Sequence, residues 1–376
     1  MIIVTVTEIG LYLCFCLLMG SLIFYSLPKE KRPDIAVKKK WLLLSTAGAG
    51  VLSLAPVLSV IFELTKSLGF WLSFKGVLFT FQIGKAWLFI LVIALLLFGL
   101  IYFNQLERDV FLARMGVFLT VLLIGGYAKA GHAASLSPWL GFAAHFFHLL
   151  AVAIWGGCLF VAAWFSQGTQ RWRVFLSWFT PLAIVSVVVV IIAGLGTMAI
   201  DIGKPLDASI SATVNQYKQG LASDYGQALL VKHLLILPLI CYAFFNGIYS
   251  RRLLLGANDS GFNPIKWARV ESIVVLAIFI VTAFMGQQTP PHDLKQIILT
   301  EGASPLFSKV YQGTVTPDFI LHFSLSPVSL LFIVISLLFI VMIGLSVVKR
   351  LSSWIALIMT AGFLASAYLC VMASIQ

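Results

Sequence analysis

Residues 2–40 read IIVTVTEIGLYLCFCLLMGSLIFYSL and then PKEKRPDIAVKKK. A helix rises about 1.5 Å per residue, so a hydrocarbon core about 30 Å thick needs about twenty apolar residues. Ile2 to Leu27 is long enough to cross it. The second stretch carries Lys29, Lys31, Arg32, Lys38, Lys39 and Lys40. Short loops rich in Lys and Arg stay on the cytoplasmic side of a membrane, and that orients every later loop. The first run lacks a basic leader and holds Glu8, so it reads as a retained span and not as a cleaved signal.

The rest of the chain repeats the pattern. Of 376 residues, 60% are hydrophobic and only 10% charged, with a mean hydropathy of +1.02. That leaves too little polar surface for a water-soluble globule. The same balance excludes a disordered chain, a nucleic-acid-binding domain and a disulfide-stapled module. Ten apolar runs appear, approximately Ile2–Leu27, Trp41–Phe62, Trp87–Phe103, Val110–Tyr127, Gly141–Phe165, Val174–Ile200, Ala228–Tyr249, Ala268–Met285, Val328–Val348 and Leu351–Ala373. The expected fold is an all-α polytopic membrane protein, a bundle of about ten transmembrane helices. Most Lys and Arg then fall inside, and both termini outside.

The net charge of +11 therefore reflects topology and anionic lipid headgroups of the bilayer. The cytoplasmic connections are short and no GxxxxGK[ST] phosphate loop occurs, so any transport is driven by a gradient or a partner. Two outer connections are longer, about Asp201–Gln227 and Gly286–Pro327. Within the second, Lys309 to Ser326 alternates well enough to suggest a small extracytoplasmic β-hairpin. The chain divides on this reading into residues 1–109, N-terminal spans; 110–286, a core; and 287–376, an outer loop with two final spans.

Five cysteines without a CxxC pair read as small apolar residues. Six histidines all fall in the outer half or outside. His132 lies between the fourth and fifth spans, while His292 and His322 lie in the last long outer loop. His145 and His148 sit about 6 and 10 Å below the outer start of the fifth span, and His233 about 7.5 Å into the seventh. Ionisable side chains are costly in hydrocarbon, so they face the bundle interior and mark functional paths. Imidazoles at one depth, with HxxH on one helix face, make a metal-ligand cluster; thioethers at Met198 and Met285 shift the preference toward Cu(I). The competing reading makes each histidine a hydrogen-bonded packing residue and each methionine a gap filler. Asn246 and Glu271, near the inner ends of the seventh and eighth spans, form a polar exit or pair with Arg251 or Arg269. Glycines at 156, 157, 194 and 196 permit close helix approach, and Pro56, Pro181 and Pro238 can kink their helices.

GHAAS at 131–135, HLLAVAIWGGCLF at 148–160 and SDYGQALLVKHLLILPLICYAFFNGIYSRR at 223–252 together resemble the copper resistance protein D (CopD) family. The resemblance covers about Val110 to Met285. It includes Tyr225, Gly226, Lys232, Asn246 and Arg251, followed by Glu271 in the next span. It implies a multi-pass protein of a bacterial cytoplasmic membrane, active in copper homeostasis, with copper as Cu(I) or Cu(II) passing inward. It also implies a separate CopC-type copper-binding partner, since no CopC-type β-domain is present here. By motif position only His132 and His148 carry over; His145 and His233 rest on depth. The expected role is metal handling and not enzymatic catalysis. The rival is a b-type haem electron carrier, in which two of the same histidines ligate iron.

Overall fold

The computed structural model describes the chain except residues 1, 202–209, 251–262, 292, 312, 314, 317–318 and 376. Among the described residues every regular element is helical, and ten helices are long and apolar enough to cross a membrane. The chain forms two compact units, Met1–Ile200 and Asp201–Gln376.

The first unit contains α1 (Ile2–Tyr25), α2 (Lys39–Leu52), α3 (Leu54–Leu68), α4 (Phe70–Phe79), α5 (Gln82–Phe103), α6 (Val110–Ala130), α7 (His132–Leu136), α8 (Leu140–Phe165) and α9 (Trp172–Asp201). Lipid tails are as apolar as leucine, so helices in a bilayer associate by close packing more than by escape from water. Gly20 of α1 meets Gly157 of α8 in this way. A methyl on Gly20 would run into the Gly157 carbonyl, and one on Gly157 would lie 2.6 Å from the carbonyl of Cys16.

The second span consists of two helices. Pro56 has no amide hydrogen and its ring crowds the carbonyl four residues earlier, and the helix breaks at Ser53. The Ser53 hydroxyl donates to the Ala49 carbonyl (2.6 Å) and the Trp87 indole to that of Gly50 (3.0 Å). At its far end Gly69 adopts φ 77°, a conformation open to glycine. The chain turns there into α4, whose Val77 and Leu78 pack with Val57 and Ile61. Phe70, Trp71 and Leu72 of α4 stay exposed.

The basic segment after α1 is docked. Arg32 is buried and its guanidinium donates to the Phe24 carbonyl at 2.8 Å, closing the end of α1 while stacking over the Tyr25 ring. Burial lowers its pKa, an effect opposed by the nearby charge of Glu107. The Trp178 indole donates to the Lys31 carbonyl (2.7 Å), and Ile35 bridges to Ser166.

The second unit contains α10 (Ile210–Gly220), α11 (Asp224–Phe244) continued by a π-helical turn (Phe245–Tyr249), α12 (Pro264–Met285), α13 (Leu294–Thr300), α14 (Pro305–Val310), α15 (Pro327–Val348) and α16 (Ser353–Ala373). Ser223 caps α11 and Asn263 caps α12, each accepting from an amide that the first turn leaves without a helical partner. Tyr242 ties α11 to α16, donating to the Ala356 carbonyl at 2.8 Å.

The expected β-hairpin is absent among the described residues. Lys309 and Val310 close α14, and Phe323 forms an isolated bridge with Ile375. A lone two-stranded ribbon is marginal in water, and this segment finds other partners. The Gln219 side chain takes both backbone groups of Leu321, donating to its carbonyl (3.1 Å) and accepting from its amide (2.8 Å). Leu321 and Phe307 are buried with Leu221, Leu230 and Met372, so the alternating apolar residues fill a core over the span ends.

Candidate functional site

The HxxH pair on α8 divides between two neighbouring helices. The His145 ring packs on Gly131, where an added Cβ would collide with it, and tilts against Tyr127 of α6 at 6.4 Å between centroids. His148 turns to α9. Its Nδ1 lies 3.1 Å from the Val190 carbonyl, and Gly194 gives it room: a Cβ there would stand 3.3 Å from the ring. A carbonyl can only accept, so in this contact Nδ1 carries the hydrogen and Nε2 the lone pair. That is how a backbone carbonyl orients an imidazole for a metal.

His132 opens α7 and is exposed. It lines an open cleft of about 400 Å³ with Phe81, Gln82, Ile83, Ala130 and Ser135. Gly131, which carries the His145 contact, directly precedes His132 in the chain. Met198, late in α9, is partly buried.

A carboxylate near the start of α1 joins this region, and sequence reasoning missed it. The Tyr127 hydroxyl donates to Glu8 Oε1 at 3.1 Å, and the Tyr12 ring meets Tyr127 edge-on at 6.3 Å. Glu8 and Tyr127 are thus hydrogen-bonded across α1 and α6, with the His145 ring of α8 packed beside Tyr127. The signal was legible: one acidic residue in an apolar span is costly unless it has partners.

In the second unit His233 of α11 faces Tyr217 of α10, with the hydroxyl 3.2 Å from Nδ1. Tyr217 lies outside the spans, and burial pushes its pKa up to about 12, so it holds its proton. When the hydroxyl donates, Nδ1 is the acceptor; when Nδ1 carries hydrogen it donates to the phenol oxygen, and Nε2 has the lone pair. Met285, the last residue of α12, is partly buried. His322 is exposed, while His292 and Arg251 lie outside the described residues. Asn246 and Glu271 bond to each other, Nδ2 donating to Oε2 at 2.7 Å. The described residues contain no group of three or more His, Cys, Asp or Glu side chains placed to hold one metal ion.

The class is therefore an all-helical, multi-pass membrane protein with imidazoles oriented by backbone and phenol groups inside its helices. Residues 173–285 match the family model of copper resistance protein D, so over that segment the chain is similar to the CopD family. The match takes in Met198, His233 and Met285, together with Asn246 and Glu271; GHAAS and the HxxH helix precede it. No curated protein and no solved structure matches the chain.

Proposed function

We propose that the protein binds copper and carries it inward across the cytoplasmic membrane of a bacterium, with both termini on the outer side. The donors are His132, His145, His148 and Met198 in the first unit, and His233 and Met285 in the second. A separate CopC-type protein would deliver the ion. The observation that carries this reading is the His148–Val190 contact, which turns the lone pair of one ring nitrogen away from the backbone. Imidazole and thioether suit copper, the thioether favouring Cu(I). An ion in passage must bind firmly enough to enter and loosely enough to leave.

Elemental analysis of the purified, detergent-solubilised protein tests this. Copper that binds the wild type and is lost in His148→Ala supports it. A preparation that takes up no copper, or one with a Soret band from haem, overturns it.

A further inference from the structure

The second unit places chemistry of a different kind at the other end of the same two spans. Along α11, His233 and Asn246 are separated by about 20 Å, and along α12, Glu271 and Met285 by about 21 Å, at 1.5 Å per residue. Imidazole and thioether stand at one end, and oxygen donors at the other. Glu271 is 2% exposed, a carboxyl enclosed within a membrane-spanning pair. Its partner is Asn246, whose Nδ2 also reaches the Trp267 carbonyl at 3.2 Å. Both neighbours are acceptors, so the amide must present its NH2 group to them. Asn246 sits in the π-helical turn Phe245–Tyr249, a distortion that recurs at functional sites.

None of the described residues forms an ion pair with Glu271. Lys266 and Arg269 on its own helix are exposed, and the Tyr242 hydroxyl on α11 is engaged by Ala356 and Thr360. Tyr249 stacks edge-on against Phe245; Arg251 and Arg252 lie outside the described residues. A carboxylate enclosed in hydrocarbon with one neutral amide donor is costly, and a positive charge must balance it. Oxygen donors do not suit Cu(I). Few oxygens converge here, where a hard metal ion takes six or so. A proton needs only the carboxyl itself.

We propose that Glu271, held by Asn246 at the π-helical turn, is a proton-binding site that couples passage of the transported cation to a proton gradient. As the cation moves inward the carboxyl O–H breaks and the proton leaves to water on the outer side. Once the cation has gone the carboxylate is reprotonated from the inner side, so one proton moves out for each cation that moves in. The coupling rests on the copper reading; the bound proton does not.

The bound proton is read by infrared spectroscopy of the full-length protein. A carboxylic acid carbonyl band that shifts in D2O and disappears in Glu271→Gln is the expected result, and a band unchanged by that substitution overturns the site. Coupling is read in liposomes containing the full chain, with Cu(I) supplied outside under an imposed pH difference. For one-for-one exchange, one pH unit changes the accumulation ratio about tenfold. Wild type and Glu271→Asp should show that dependence, while Glu271→Gln should lose it yet bind copper in detergent as before. Gradient dependence that survives in Glu271→Gln, or uptake that follows sodium in place of protons, overturns the coupling. A wild type that neither binds nor moves copper fails the copper reading, and the infrared result still decides the proton site.

Discussion

The Tyr217 hydroxyl and His233 Nδ1 lie 3.2 Å apart, and this one contact selects which ring nitrogen can face an ion. With His233 as a copper ligand through Nε2, Nδ1 must donate to the phenol oxygen, an outer support of the kind whose loss costs about 10–100-fold in metal affinity. Tyr217→Phe should weaken copper binding by that order while the protein stays folded, as read by competition with a Cu(I) chelator. Unchanged affinity would leave His233 as a packing residue.

The same tyrosine carries a pH signature. Its folded pKa is raised by burial from 10.0 to about 12, so the folded state holds the proton more tightly than the unfolded one. This contribution to stability is fully present below pH 10 and is lost as the pH rises toward 12. Melting curves in detergent should show a steeper loss over that window for the wild type than for Tyr217→Phe.

Gly194 gives a second handle on the His148 ring. A methyl at Gly194 would stand 3.3 Å from the ring, whereas one at Gly196 would make a 3.4 Å contact with the Ala144 methyl. Displacing a supported ligand costs about tenfold or more in affinity, so Gly194→Ala should weaken copper binding and Gly196→Ala should not. Equal effects from both would tie the change to packing of α8 on α9.

Packing itself is tested at Gly20. Its missing side chain lets α1 lie directly on the Gly157 backbone, and forcing extra atoms into a tight contact costs about 1–3 kcal/mol. Gly20→Ala should lower the melting temperature in detergent, and Gly99→Ala, where an added methyl meets nothing within 4 Å, should leave it nearly unchanged.

Arg32→Ala should also destabilise the first unit. It removes the cation over Tyr25 and one of the two donors to the Phe24 carbonyl, which keeps the Leu27 amide at 3.2 Å. The expected loss is that of one hydrogen bond from a charged group, about 1.5–3 kcal/mol. Lys38→Ala, on an exposed neighbour, is the control for charge alone.

The ten spans were legible because length and hydropathy are all that a bilayer demands of a helix. Their ends were less so. The third span starts at Gln82 and not at Trp87; polar side chains stop a hydropathy window but not a backbone ladder, and Gln82 itself donates to the Lys129 carbonyl at 2.6 Å. The alternation from Lys309 to Ser326 marked which residues are buried but not what buries them, since the Gln219–Leu321 pairing joins residues about a hundred positions apart. At the site, His148 announced itself as a polar residue in an apolar helix. Its orienting group is the main-chain carbonyl of Val190, which no side chain in the sequence advertises.

The broken second span reaches from Lys39 to Leu68, 30 residues in all. At 1.5 Å per residue that is about 45 Å of helix against a hydrocarbon layer about 30 Å thick. The excess must be absorbed by tilt or by bending at Ser53, and exposed Phe70, Trp71 and Leu72 follow just beyond Gly69. Hydrophobic mismatch therefore falls on this corner: thinner lipids should press it toward a flatter angle and thicker ones should straighten it, making it the part of the first unit that senses the membrane around it.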